Sequence, residues 1–313
     1  MQRTMIRYGA CLLLALSGAR GQSGPTLVGV GYAPPVLTVA PGQIVTLQVT
    51  GLKTVLAQPA KSGQVPLPTQ LAGISVTLNQ YLHGDLRASS TAVPIFSIQQ
   101  NNGCYDGSTT ADCMVTFITV QIPYEMQAIL SGNPYQAELV TSENGVSGKG
   151  FAIHSNPDNI HVLTGCGGGA CVTHANGALV NSASPANPGE TVVIYAVGLG
   201  YTNPPAQTGQ AAPASASVVF EYIGLDFSPN AGPSQLAELP GKPAGLVPAF
   251  AGLTPGGVGL YQVNVTLPAT FPAVPSCGSS VSPFYPVSSN LTINIGSDYG
   301  TFDGAPICVK PPQ

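Results

Sequence analysis

The run Ser184-Pro185-Ala186-Asn187-Pro188-Gly189-Glu190-Thr191-Val192-Val193-Ile194-Tyr195-Ala196-Val197-Gly198-Leu199-Gly200 limits the fold more than any other part of the sequence. Pro188-Gly189 fixes a turn, the β-branched and aromatic residues that follow make a strand, and Gly198-Leu199-Gly200 allows a sharp exit. A weaker copy lies upstream, where Pro41, Gly42, Val45, Leu47, Gly51 and Leu52 match at one constant offset. The chain therefore reads as a tandem protein, and 313 residues suffice for two domains that each bury a core. With 38 glycines and 30 prolines, long helices are disfavoured and short strands joined by many turns are favoured.

Residues 1–22 read as an export signal. Arg3 and Arg7 precede an apolar stretch, and Ser17-Gly18-Ala19 or Ala19-Arg20-Gly21 supplies small residues for cleavage. The apolar part is shorter than the about 20 residues that a membrane span needs, and no later run is long and apolar enough. Cys11 sits inside the apolar region with nothing hydrophobic ahead of it, so a lipoprotein reading is set aside. The mature protein is expected outside the cytoplasm, secreted, periplasmic or on the cell surface, with no membrane span after signal removal.

Charged residues are only 7% of the chain but hydrophobic ones are 44%, which separates it from disordered sequences. A net charge of -4 with nine Lys plus Arg leaves no basic patch for nucleic acid. Export also changes the meaning of the cysteines. Without Cys11 six remain, and an even number in an oxidising compartment favours disulfides, though six allow 15 pairings. Proximity suggests Cys104 with Cys113, Cys166 with Cys171, and Cys277 with Cys308, as loop staples rather than redox centres.

The first domain is expected over residues 23–163. Its strands are Ile44 onward, Ile74-Ser75-Val76-Thr77-Leu78, Val93-Pro94-Ile95-Phe96-Ser97-Ile98 and 114–122, the last ending at Pro123. One helical turn is expected at 124–130, followed by a hairpin around Asn144-Gly145. The second domain, 164–313, repeats the order: 172–180 carries an Asn176-Gly177 turn, and strands follow at 191–197, 217–222, 247–250 and 290–295. Its run 259–268 alternates cleanly, with Tyr261, Val263, Val265 and Leu267 on the core face and Gln262, Asn264 and Thr266 on the solvent face. About seven short strands per repeat is the pattern of an immunoglobulin-like sandwich, so the expected fold is all-β, two tandem immunoglobulin-like antiparallel β-sandwiches. The chain has no Trp and so lacks the core of antibody domains; a β-barrel or jelly roll is the alternative.

Ser184-Pro185-Ala186-Asn187-Pro188-Gly189-Glu190, Ile194-Tyr195-Ala196-Val197-Gly198-Leu199-Gly200, Pro248-Ala249-Phe250-Ala251-Gly252-Leu253-Thr254-Pro255-Gly256 and Gly259-Leu260-Tyr261-Gln262-Val263-Asn264-Val265 resemble the uncharacterised C-terminal domain recurrent in predicted secreted proteins of Solibacter and related Acidobacteria. The resemblance covers His174 to Ile295. The first repeat departs from it, with Lys53 in place of the final glycine and Thr116-Phe117-Ile118-Thr119-Val120 where the Tyr261 run stands later. What the resemblance implies is a bacterial envelope or extracellular protein; it brings no activity with it.

Candidate chemistry is sparse. His161, Cys166, Cys171 and His174 have a spacing that could supply a tetrahedral zinc, against a Cys166–Cys171 disulfide flanked by two surface histidines. Asp106 with Asp112, or Asp298 with Asp303, could offer oxygens to calcium, but neither has the acidic ladder of a dedicated site. Gly145-Val146-Ser147-Gly148-Lys149 fails the last position of a hydrolase elbow, and the Gly165–Ala170 run opens no helix for a dinucleotide. Tyr195 and Tyr222 are candidates for a sugar platform, and Asn264 and Asn290 begin glycosylation sequons inside strands. The resulting expectation is a secreted non-catalytic protein without a cofactor, serving in adhesion, as a spacer or in envelope interaction. Its partner would be an unknown extracellular protein or glycan, and the alternative is a carbohydrate-binding or enzyme-accessory module.

Overall fold

The computed structural model describes residues 25–30, 38–82, 86–110, 113–127, 136–218, 222–236, 246–282 and 285–312. The export signal at 1–22, Asp112, Ala128-Ile129-Leu130 and Val219-Phe220-Glu221 lie outside the described residues. The protein is all-β; no α-helix occurs among the described residues, and none there is long and apolar enough to cross a membrane.

In the N-terminal half, β1 (Thr26–Val30), β2 (Ile44–Thr50), β3 (Ile74–Leu82), β4 (Leu86–Ala92), β5 (Ile95–Asn102), β6 (Met114–Gln121), β7 (Gln136–Glu143) and β8 (Phe151–Ser155) form two sheets. One runs β1-β2-β6-β5 and ends on Ala60–Lys61; the other runs from Thr38–Val39 through β8-β7-β3, with β4 also on β3. Pairing is antiparallel except between β8 and Thr38–Val39. The strict alternation of β2 places Val45, Leu47 and Val49 in one hydrophobic cluster with Ile118 and Val120 of the same sheet and Ile74, Val76, Leu78 and Leu139 of the other. Burial of this order, at roughly 25 cal/mol per Å² of apolar surface, is what holds the two faces together.

In the C-terminal half, β9 (Val172–His174), β10 (Thr191–Val197), β11 (Tyr222–Asp226), β12 (Phe250–Leu253), β13 (Tyr261–Thr266), β14 (Leu291–Gly296) and β15 (Phe302–Ile307) follow the same logic. One sheet runs His161–Val162, β10, β13, β12, with β9 also on β10; the other is β11-β14-β15. Tyr261, Val263, Val265 and Leu267 are buried while Gln262 and Asn264 are half-buried and Thr266 is exposed, the pattern that the period of two dictates. They share a second cluster with Ile194, Leu253, Ile293, Ile295 and Ile307.

Several elements differ from the sequence expectation. Val93-Pro94-Ile95-Phe96-Ser97-Ile98 is no single strand: Val93 donates to Val76 in one sheet, and Ile95 pairs with Val120 in the other, so the chain changes sheets at Pro94, which has no N–H. The weakly apolar β4 was not legible beside it. The described part of 124–130 is a β-turn closed by Met126 N–H on Pro123 O, not a helical turn. Ser217 makes only isolated bridges, and the next strand starts at Tyr222. The strand expected at 247–250 begins at Phe250, after Pro248. Residues 290–295 are not the closing strand, because β15 follows, disguised in sequence by Asp303, Gly304 and Pro306.

Where the halves meet, the contacts are polar and close. Tyr124, on the N-terminal half, belongs to the C-terminal cluster, and its hydroxyl lies 3.2 Å from that of Tyr261. Tyr261 donates to Gly200 O, Asn159 N–H to Gly198 O at 2.7 Å, and Gly209 N–H to Gln121 Oε1 at 2.7 Å. Gly198 and Gly200, both at positive φ, press so closely on the carbonyls of Asn159 and Pro157 that a Cβ on either would collide with them. The Gly-Leu-Gly element thus ends a strand and also seats the chain that joins the halves.

Candidate functional site

The most organised polar cluster stands on the turn that opens β10. Antiparallel pairing of β9 with β10 puts His174 opposite Val192, two residues beyond Glu190. Glu190 belongs to the Asn187-Pro188-Gly189-Glu190 turn, closed by Glu190 N–H on Asn187 O and by Gly189 N–H on Pro268 O. Its Oε1 meets His174 Nδ1, and its Oε2 accepts Asn187 N–H at 2.8 Å and the Asn187 amide at 3.1 Å. His174 Nε2 lies 3.1 Å from both Oγ and the carbonyl O of Ser184. Burial pushes the Glu190 carboxyl up, but the Asn187 N–H, the His174 ring and the Asn187 amide outweigh it and hold the group below its ordinary value.

Carboxylate, imidazole and hydroxyl in this order have the connectivity of an acyl-transfer triad. The hydrogen bonds assign another role. A carboxylate only accepts, so Nδ1 donates to Glu190, while Nε2 lies at one distance from the Ser184 carbonyl, which only accepts, and the Ser184 hydroxyl, which does either. Ser184 N–H is itself bound to Asn181, and Pro185 has no N–H to offer a developing oxyanion. The cluster clasps residues 181–190 to β9. Sequence reasoning missed it because His174 and Glu190 meet through strand register, and the register is not visible in residue spacing.

Other ionisable groups are similarly occupied. Glu143 accepts the N–H groups of Lys53 and Thr54 at 3.0 and 2.7 Å; burial raises its carboxyl, and those bonds with the Lys53 charge bring it below the ordinary value. Asp158, raised by burial against hydrogen bonds from Thr301 and Ser297, is bound by the Thr301 hydroxyl. Asp303 accepts Val162 N–H and Gly304 N–H, each at 2.8 Å, and its charge opposes the burial that lowers His161. At the seam, burial pushes the Tyr124 hydroxyl up to about 12, with the Tyr261 hydroxyl opposing. Burial followed by Tyr124 itself drives Tyr261 well above its ordinary value.

The residues singled out in sequence fall as follows. Cys104 is bridged to Cys113, Cys166 to Cys171 and Cys277 to Cys308, with Cα–Cα distances of 5.0, 5.0 and 5.9 Å. The zinc alternative therefore fails: both thiolates are consumed, and His161 and His174 pair with Val197 and Val192, so they sit about 16 Å apart along β10. No group of three or more His, Cys, Asp or Glu that could hold a metal occurs among the described residues. Asp106 closes a turn onto Ser108 N–H, while Asp298 is exposed in a turn and Asp303 is engaged as above. Ser147, in the failed hydrolase elbow, bonds the Ser142 hydroxyl across the hairpin. Tyr195 is half-buried, and the side chain of Tyr222 lies outside the described residues. Asn290 is fully buried, giving its amide to Pro275 O and Val309 O and accepting Val309 N–H, which leaves nothing for a glycan; Asn264 is half-buried.

The chain matches no protein-family model, and no curated protein matches it.

Proposed function

We propose that the protein is an exported, non-catalytic binding or spacer protein, built as two tandem immunoglobulin-like β-sandwiches and working outside the cytoplasm in adhesion or envelope interaction. The observation that carries this reading is the setting of the arrangement nearest to a catalytic triad: Ser184 N–H is bound to Asn181, Pro185 has no N–H for an oxyanion, and the cluster holds a turn. Two facing sheets around each hydrophobic cluster support the sandwich architecture, and the resemblance of residues 174–295 to the Solibacter-type C-terminal domain supports the envelope setting. Three disulfides suit an oxidising compartment.

The test joins binding with reactivity. The mature chain is sedimented with the cell-envelope fraction of its source organism, applied to a glycan array, and treated with a fluorophosphonate and a chromogenic ester. Saturable envelope binding without labelling or turnover is expected. Turnover that vanishes in Ser184→Ala would replace this reading with a hydrolase.

A further inference from the structure

Asparagine followed by glycine is the pair in which a chain most readily attacks itself, because glycine has no side chain to block its own nitrogen from the asparagine amide carbon. The sequence holds three such pairs, Asn102-Gly103, Asn144-Gly145 and Asn176-Gly177, and all six residues are exposed. Exposure does not separate them; hydrogen bonding does. Gly103 N–H donates to Cys113 O at 3.1 Å, and Asn102 Oδ1 accepts Cys104 N–H at 2.9 Å. Gly177 N–H donates to His174 O at 2.9 Å, and Asn176 Oδ1 accepts Ala178 N–H at 3.0 Å. In both pairs the attacking nitrogen and the amide under attack are tied to other atoms.

Asn144-Gly145 differs on each count. It is the two-residue turn from β7 to Val146–Ser147, with φ of 48° and 83° and Glu143 opposite Val146. Among the described residues neither Gly145 N–H nor the Asn144 amide has a hydrogen-bond partner. The amide lies over Gly73, in the turn that opens β3, where a Cβ would collide with Asn144 Oδ1, so a glycine there leaves the amide room to rotate. Asn144 N–H donates to Gly73 O at 2.8 Å and ties the two hairpin tips together.

We infer that Asn144-Gly145 is a self-modification site, which converts to aspartyl and isoaspartyl forms well ahead of the other two pairs. Gly145 N gives its proton to hydroxide and bonds to Asn144 Cγ. The Cγ–Nδ2 bond breaks, and ammonia leaves with a proton from water, which restores the hydroxide and closes a five-membered imide. Water then opens the ring. Cleavage between Gly145 N and Cγ leaves an aspartyl residue; cleavage between that nitrogen and the main-chain carbonyl carbon leaves an isoaspartyl one, its chain routed through Cβ and Cγ. One water is consumed, one ammonia is released and nothing is oxidised or reduced. Either product sets a second carboxylate beside Glu143, whose oxygens accept the N–H groups of Lys53 and Thr54. The isoaspartyl form also lengthens a two-residue turn by one carbon, which shifts Glu143 from its place opposite Val146.

The test incubates the full mature chain, disulfides intact, in mildly alkaline buffer and follows it by peptide mapping with isoaspartyl methyltransferase labelling and electron-transfer fragmentation. Two hydrogen bonds restrain each of the other pairs, so Asn144 should react at least about tenfold faster than Asn102 or Asn176. In the reduced chain unfolded in guanidinium, all three should react at similar rates. Asn144→Gln, which could close only a slower six-membered ring, should remove the early acidic species seen by ion exchange, while Asn102→Gln should leave it. Isoaspartate that forms first at 102 or 176 overturns the site. So does a folded chain that stays intact at 144 while the unfolded chain converts there, and equal rates at all three pairs in the folded chain overturn the role given to the hydrogen bonds and the proposal with it.

Discussion

Replacing Gly198 by alanine tests whether the seam presses on the Gly-Leu-Gly element. Gly198 sits at φ 79°, where an L-residue costs about 1–2 kcal/mol. The new Cβ would also strike Asn159 O and come within 3.3 Å of Gln43 Cδ. To relieve that contact the chain must withdraw, lengthening the 2.7 Å bond from Asn159 N–H to Gly198 O, worth about 1 kcal/mol. The sum is about 2–3 kcal/mol, or a fall in Tm of roughly 4–6 °C for a protein of this size. Gly256→Ala is the control, since Gly256 has nearly the same φ of 76° but open space around it, so only the backbone cost of about 1–2 kcal/mol applies. Urea and calorimetric unfolding of both variants give the comparison. Equal losses would show that the close approach to Asn159 carries no weight and refute the account of the motif as a seat for the joining chain.

Asn290→Ala should lose about 3 kcal/mol in urea unfolding, because three hydrogen bonds of a fully buried amide disappear together. Glu190→Ala should lose about 2–3 kcal/mol at neutral pH by releasing Asn187 and His174. Because the Glu190 carboxyl is held below its ordinary value of 4.5, its stabilisation is complete above that pH and is lost as pH falls through the lower folded value; the wild-type and Glu190→Gln stabilities should therefore converge on acidification. Cys277→Ala with Cys308→Ala should destabilise by about 3.5 kcal/mol, since this bridge closes the longest of the three loops, 31 residues; replacing Cys166 and Cys171, five apart, should cost nearer 2 kcal/mol. Each is read from the denaturation midpoint under non-reducing conditions.

Strands built on strict alternation were plain in the sequence, as at 44–50 and 261–266, because each had one oily and one wet face. The 290–296 run departs from that rule. Asn290, Thr292 and Asn294 alternate with Leu291, Ile293 and Ile295, which signals a solvent-facing side, yet all are buried. Thr292 donates to Ala231 O, Asn294 accepts Ser234 N–H and Asn290 holds Pro275 and Val309, so these polar side chains bind an outer layer of irregular chain. Such a layer leaves no period of its own. The His174 clasp was hidden likewise: sequence shows the residue types but not that Val192 stands opposite His174.

The two copies of the strand motif diverge where their surroundings differ. In the N-terminal copy Gly51 keeps a φ of 79°, but the chain then turns at Lys53, whose N–H is taken by Glu143 of its own half. Among the described residues no joining chain bonds that end, and Lys53 is exposed, so a side chain is tolerated there. In the C-terminal copy the corresponding Gly200 abuts Pro157 O and receives the Tyr261 hydroxyl on its carbonyl. A Cβ there would have to displace the segment that links the halves. The glycine at the third position of the motif therefore follows from having a neighbour upstream, and a lysine at Gly200 should separate the halves before it melts either core, giving two calorimetric transitions where the wild type gives one. A single transition, merely shifted downward, would mean that the seam and the cores are one cooperative unit and that this glycine serves the strand end alone.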